Sequence, residues 1–235
     1  MPYHSSPLID DSPAITTAVN LCGPNATILF QPNVTYNLLT PLSFTNLSRV
    51  NFLFEGNVSL SDNVTVVQQV VDNTRVYRER WITVKGVDVG FEGRGGGGGR
   101  GMRLLGGGLI GLGLRWCIGL TIRNIKVLNP VAWVFSIGGS DVEMRDILID
   151  ARSSDGFPFN TGMEPFANIV SDRDNEDVKY EEWIPSDGID LSASNVLIDG
   201  LEIHNGDDII NISPPATNVT VIQHYPSYSS IKIQY

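Results

Sequence analysis

Three carboxylates have the residue types and spacing to do acid–base chemistry together. Asp187 lies in SDGID, and Asp207 and Asp208 form an adjacent pair in NGDD, 20 residues after it. A hydrolase that works through carboxylates needs one that protonates a leaving oxygen and others that activate water. Residues that far apart meet only if the chain comes back to the same place after one turn of about that length.

The residues between them suggest how it does so. Val196, Ile198, Leu201 and Ile203 alternate with polar positions, the pattern of a strand that buries one face. The same alternation runs through LTIRNIKVLN from Leu120, VEMRDILIDA from Val142, VLIDGLEIHN from Val196 and VTVIQHYPSY from Val219. These starts are 22, 54 and 23 residues apart. A period in the low twenties predicts a solenoid whose coils stack their strands ~4.8 Å apart, each burying its inward face against the next. Leucine-rich repeats have a similar period, but LxxLxLxxN is absent here. Asn and Asp at the coil corners suit turns. Asp is common in solenoid turns, and Asp190 and Asp199 are nearby, so the one-coil spacing, rather than the acidic pair alone, carries the reading.

Composition narrows the partners. The chain has 235 residues, 42% of them hydrophobic, enough for a sizeable core. With 16 basic against 26 acidic residues its formal net charge is −10, which argues against nucleic acid or an anionic membrane. No apolar run reaches membrane-spanning length, and the N-terminus lacks the profile of a signal peptide. Cys22 and Cys117 make neither a disulfide scaffold nor a metal motif. Seven N-x-S/T sequons, at Asn25, Asn33, Asn46, Asn57, Asn63, Asn211 and Asn218, predict a secreted protein whose leader lies outside these residues. Their other source is the abundance of Asn, Ser and Thr in solenoid turns.

Near the start, Asp11 or Ser12 with Pro13 predicts a short helix that ends by Cys22-Gly23-Pro24. Short strands follow to about residue 92, with turn signals between them. The charged stretch VVDNTRVYRERW reads as a solvated linker or as a source of substrate contacts. Two segments break the pattern. Residues 94–116 are a low-complexity Gly/Leu/Arg run without the GxxxxGK[ST] of a phosphate loop. Residues 162–185 are strongly acidic with neither strand nor helix periodicity, as in a surface loop or a translated intron.

SDGID followed by NGDD resembles the polygalacturonases, pectin-cleaving glycoside hydrolases. Their pattern is Asn-Thr-Asp-Gly, then Asp-Asp about one coil later, then Gly-His-Gly, then Arg-Ile-Lys. Val131-Ala132-Trp133 and FPFNT at 157–161 are similar too, and Gly206 before the acidic pair looks like the exo-acting members. The resemblance implies an all-β, right-handed parallel β-helix (a pectin-lyase-like solenoid) with a short N-terminal capping helix. It implies a single domain over 1–235, incomplete at its C-terminal end. By the same resemblance Asp207 is the general acid, while Asp187 and Asp208 activate water on the opposite face of the sugar and invert the anomeric centre. Roughly 6.5–9.5 Å between acid and base leaves room for that water. Like charges this close raise at least one carboxyl pKa, so an acidic pH optimum is expected. The implied partner is a pectin or polygalacturonate oligosaccharide, bound by an extracellular monomer without metal or organic cofactor.

The sequence also departs from that pattern. Residues 162–185 separate Asn160 and Thr161 from Asp187 and leave Ser186 beside the acid. The histidine position falls at Ser230, His224 comes six residues early, and no Arg-Ile-Lys occurs. Negligible turnover is therefore expected of this polypeptide. The alternatives are a rhamnogalacturonan or xylogalacturonan hydrolase, and a non-catalytic β-solenoid that binds polysaccharide.

Overall fold

A computed structural model describes residues 9–61, 63–77, 80–94, 102–105, 111–130, 134–152, 188–205, 208–222 and 231–233. Among the described residues, thirteen strands form one continuous ladder in which every recorded pairing is parallel. They are β1 (Ala26–Phe30), β2 (Thr35–Leu38), β3 (Leu42–Phe54), β4 (Asn57–Leu60), β5 (Ile82–Gly93), β6 (Met102–Leu105), β7 (Leu112–Arg123), β8 (Ile125–Leu128), β9 (Phe135–Asp150), β10 (Ile189–His204), β11 (Ile210–Ile212), β12 (Thr217–Ile222) and β13 (Ile231–Ile233).

The register resolves the ladder into three stacked faces, a parallel β-helix as expected. Face 1 aligns Leu42, Ile82, Leu112, Phe135, Ile189, Ile210 and Ile231. Face 2 aligns Val50, Val89, Leu120, Val142, Val196 and Val219. Face 3 runs through β2, β4, β6 and β8 to the ends of β9 and β10. The 22-, 54- and 23-residue steps read from the sequence are the observed pairings Leu120–Val142, Val142–Val196 and Val196–Val219.

The long strands bend from face 1 to face 2 at residues with positive φ: Arg49, Asp88, Gly119, Asp141, Asn195 and Asn218. Asn and Asp tolerate that backbone better than most side chains, and glycine tolerates it best. Their side chains also bond along the stack. Asn218 Nδ2 donates to Asn195 Oδ1, and Asn195 Nδ2 to Asp141 Oδ1, each at 3.0 Å. Inward positions bury the column of Leu120, Val142 and Val196 almost completely. At the first coils the core is aromatic, with Phe30 stacked on Phe54 at 4.3 Å and Phe52 on Phe91 at 5.0 Å.

Helix α1 (Ser12–Cys22) begins with proline in its first turn and ends at Gly23. Ile15 and Val19 join the core, and the helix meets β1 and β3, the first strands of face 2. Asp11 is the N-cap residue, yet its carboxylate does not cap the helix. It accepts from Asn37 N instead, at 2.9 Å, while Asp10 Oδ1 takes Ser12 N and Leu39 N. Both acids thus tie the helix start to the turn around β2.

Two stretches differ from the sequence reading. Val64–Val71 is a helix, α2, started by Asn63, whose side chain accepts from Val66 N at 3.2 Å. Its run of valines reads locally as strand or linker, and the cap outweighs that preference. Within 94–116, Met102–Leu105 and the start of β7 are regular strand. Their ladder bonds come from neighbouring coils, so glycine-rich sequence is held by tertiary pairing rather than by local propensity. Segment 162–185 lies outside the described residues, as do Val131–Trp133 and FPFNT.

Candidate functional site

The turn from face 3 back to face 1 after β10 carries Asp208, the second acid of the pair. Asn205 follows the last residue of β10 and is almost fully buried. Its Nδ2 donates to the Asp208 carbonyl at 3.0 Å. Gly188 N donates to that same carbonyl at 2.9 Å, and Ile189 N continues the ladder to Ile209 O at 3.0 Å. The Asp208 backbone is therefore fixed by two donors, one from its own turn and one from the coil before.

β10 and β11 pair with a 21-residue offset: Ile189 with Ile210, Asp190 with Asn211, Leu191 with Ile212. Gly188, the residue directly after Asp187, thus lies against the Asp208–Ile209 peptide. There is no room for a side chain at Gly188. A Cβ would come within 2.4 Å of Ile209 O and 2.7 Å of Ile203 Cδ1. Asp187 and Asp207 themselves lie outside the described residues, as do Ser186, His224 and Ser230.

Outward positions of face 1 make a polar column beside this turn: Ser43, Thr83, Gly113, Ser136, Asp190 and Asn211. Asn211 Nδ2 donates to Asp190 Oδ1 at 3.3 Å, and Arg115 Nε to Ser136 Oγ at 3.2 Å. On face 3, His204 Nε2 lies 3.1 Å from Glu202 Oε1. Asp150, which pairs with His204, takes Arg152 Nε and NH2 at 2.8 and 2.6 Å. The guanidinium beside Asp150 holds its carboxyl below the usual range.

Asn205 and Gly188 are supporting residues that the sequence reading did not single out. The available signal was a polar residue placed just past an alternating strand, followed by the acids. Among the described residues no group of three or more His, Cys, Asp or Glu side chains could hold a metal ion.

Comparison with known proteins agrees with this architecture. Residues 112–227 match the model described as "Glycosyl hydrolases family 28". "Probable exopolygalacturonase C" of Neosartorya fischeri is 27% identical over 94% of this chain and 47% of its own length. The Aspergillus niger protein of that name is 28% identical over 88% of this chain and 44% of its own. "Exopolygalacturonase" of Cochliobolus carbonum is 24% identical over 90% and 45%. The chain thus spans about half the length of the curated relatives it matches. Among solved structures, endo-xylogalacturonan hydrolase from Aspergillus tubingensis is similar in fold, with a TM-score of 0.59 and 20% identity over 94% of this chain and 55% of that one.

Proposed function

We propose that this chain, a member of the polygalacturonase family of glycoside hydrolases, carries the acid–base centre for hydrolysis of α-1,4-galacturonosyl linkages in pectin. Asp207 protonates the glycosidic oxygen. Asp187 and Asp208 activate the water that attacks the opposite face of the sugar, so the anomeric centre inverts. The observation that carries this reading is the Gly188–Asp208 backbone bond, which ties the residue after Asp187 to the second acid of the pair. Gly206 and the relatives' printed names favour attack at a chain end. The sequons favour secretion to an extracellular site, where pectin is found.

The test is release of reducing ends from polygalacturonate by the purified chain. Long incubation with chromatography of the products is the suitable format. Monogalacturonate that disappears in the Asp208→Asn protein supports the reading. Release that persists unchanged in the Asp187→Asn, Asp207→Asn and Asp208→Asn proteins excludes it. Xylogalacturonan run in parallel separates the second substrate class.

A further inference from the structure

One outward column at the bend from face 1 to face 2 changes character partway along the stack. In register it runs Ser48, Val87, Ile118, Ser140, Ser194 and Thr217. Four of these positions hold a small hydroxyl residue, and two on adjacent coils hold a β-branched aliphatic one instead. Val87 is 45% exposed and Ile118 51%, and Trp116, two residues before Ile118, is 75% exposed. Single apolar residues at a surface are ordinary, whereas neighbours that join into a strip mark a contact.

Charge is sorted on either side of the strip. Toward face 1 it is bordered by Lys85 and Arg115, and toward face 2 by Asp88 and Asp141. Lys85, Val87 and Asp88 follow one another along β5, so a single strand already carries the order cation, apolar, anion. Asp88 also reaches over the next coil, because a Cβ at Gly119 would lie 2.5 Å from its Oδ1. Arg49 shares the corner column with Asp88 one coil earlier, beyond the end of the apolar strip.

A surface ordered in this way is complementary to itself. A twofold axis parallel to the stack sets the apolar strips of two copies against each other and lays the cations of each over the anions of the other. A twofold axis across the stack would set cation on cation, which is repulsive. Under the first axis each coil meets the same coil of the other copy, so Ile118 packs on Ile118 and Lys85 faces Asp88. The net charge of −10 on each chain opposes association, but salt screens it beyond about 8 Å and leaves the contact pairs.

We propose that this strip is the contact face of a homodimer, two solenoids side by side and parallel, in place of the monomer that the family resemblance implies. The partner is a second copy because the charge order on the strip is its own complement. The strip is narrow, so the association is of the weak class that depends on concentration. The acidic turn enters face 1 at its opposite edge, just ahead of Ile189, and stays open in both copies.

Sedimentation velocity of the purified chain from about 1 to 200 μM, in about 0.15 M salt, tests this. The mass is expected to rise from one chain toward two. Ile118→Asp, which puts a charge on the strip's centre, should remain a single chain. The Lys85→Glu and Asp88→Lys proteins should each associate at least about tenfold more weakly, since each sets like charges together. Arg49 already places a long cation in that corner column at a φ of 51°, so a lysine fits the backbone there. An equimolar mixture of the two charge variants restores opposite charges at both contacts and should recover the parent's association. Misfolding cannot produce that recovery. A parent that stays a single chain over the whole range overturns the proposal. So do charge variants that associate like the parent, or a mixture of folded variants that associates no better than either alone.

Discussion

Gly188 shows at the scale of one residue how tightly the acidic turn is packed. A methyl group there would press on the Ile209 carbonyl and on Ile203. Gly188→Ala is therefore expected to lower stability by about 1–3 kcal/mol, read as a shift in the urea midpoint. Asp208→Asn keeps the shape and the backbone bonds. It should leave the urea midpoint within about 0.5 kcal/mol of the parent and remove about 10²–10⁴-fold of any hydrolysis. The sequons divide in the same residue-level way. Asn25, Asn33 and Asn46 are exposed and are expected to carry glycan in a secreted preparation. Asn211 and Asn218 already use their amide nitrogens as donors to Asp190 and Asn195, and are expected to stay unmodified. Peptide mass spectrometry after enzymatic deglycosylation reads both sets. The three acids stand out as candidates in the sequence because Asp in DG and DD is conspicuous by type and spacing. Asn205 and Gly188 do not, since their importance lies in which carbonyl and which neighbouring coil they face.

At the scale of elements, face 2 is held from outside by charge and from inside by apolar burial. Arg145 bonds both Glu143 and Asp199, and Arg123 bonds Glu143 at 2.9 Å, so one network crosses three coils. The Arg145 hydrogen bond, with help from Arg123, holds the Glu143 carboxyl below its ordinary value. A carboxyl depressed in the folded state adds stability above its unfolded pKa, about 4.3, and loses it as pH falls through the folded value. Stability should therefore drop over the acid range below about pH 5. In Glu143→Gln the drop should be smaller by about 0.2–1 kcal/mol, measured by urea unfolding across that range. The strands were legible because the apolar period survives even across the 54-residue step. Helix α2 was not, because its valines favour a strand and a single asparagine cap decides otherwise. The strand β6 in the glycine-rich run was equally hidden, since its partners β4 and β8 supply what its own sequence lacks.

For the molecule as a whole, stacking makes each coil answer mainly to its neighbours. Removing Leu120, which is fully buried between Val89 and Val142, should cost about 2–5 kcal/mol in Leu120→Ala. The central claim is also a whole-molecule one: the coil of about 21 residues brings positions 187 and 208 side by side on one wall. Neighbouring parallel strands hold their Cα atoms ~4.8 Å apart, within the reach of a disulfide. The direct measurement is thiol titration of the Asp187→Cys/Asp208→Cys protein, with Cys22→Ser to remove the exposed native thiol, before and after mild oxidation. Loss of both introduced thiols, within a single chain and with the fold retained, is the predicted result. Two thiols that stay reactive in the folded protein would contradict it.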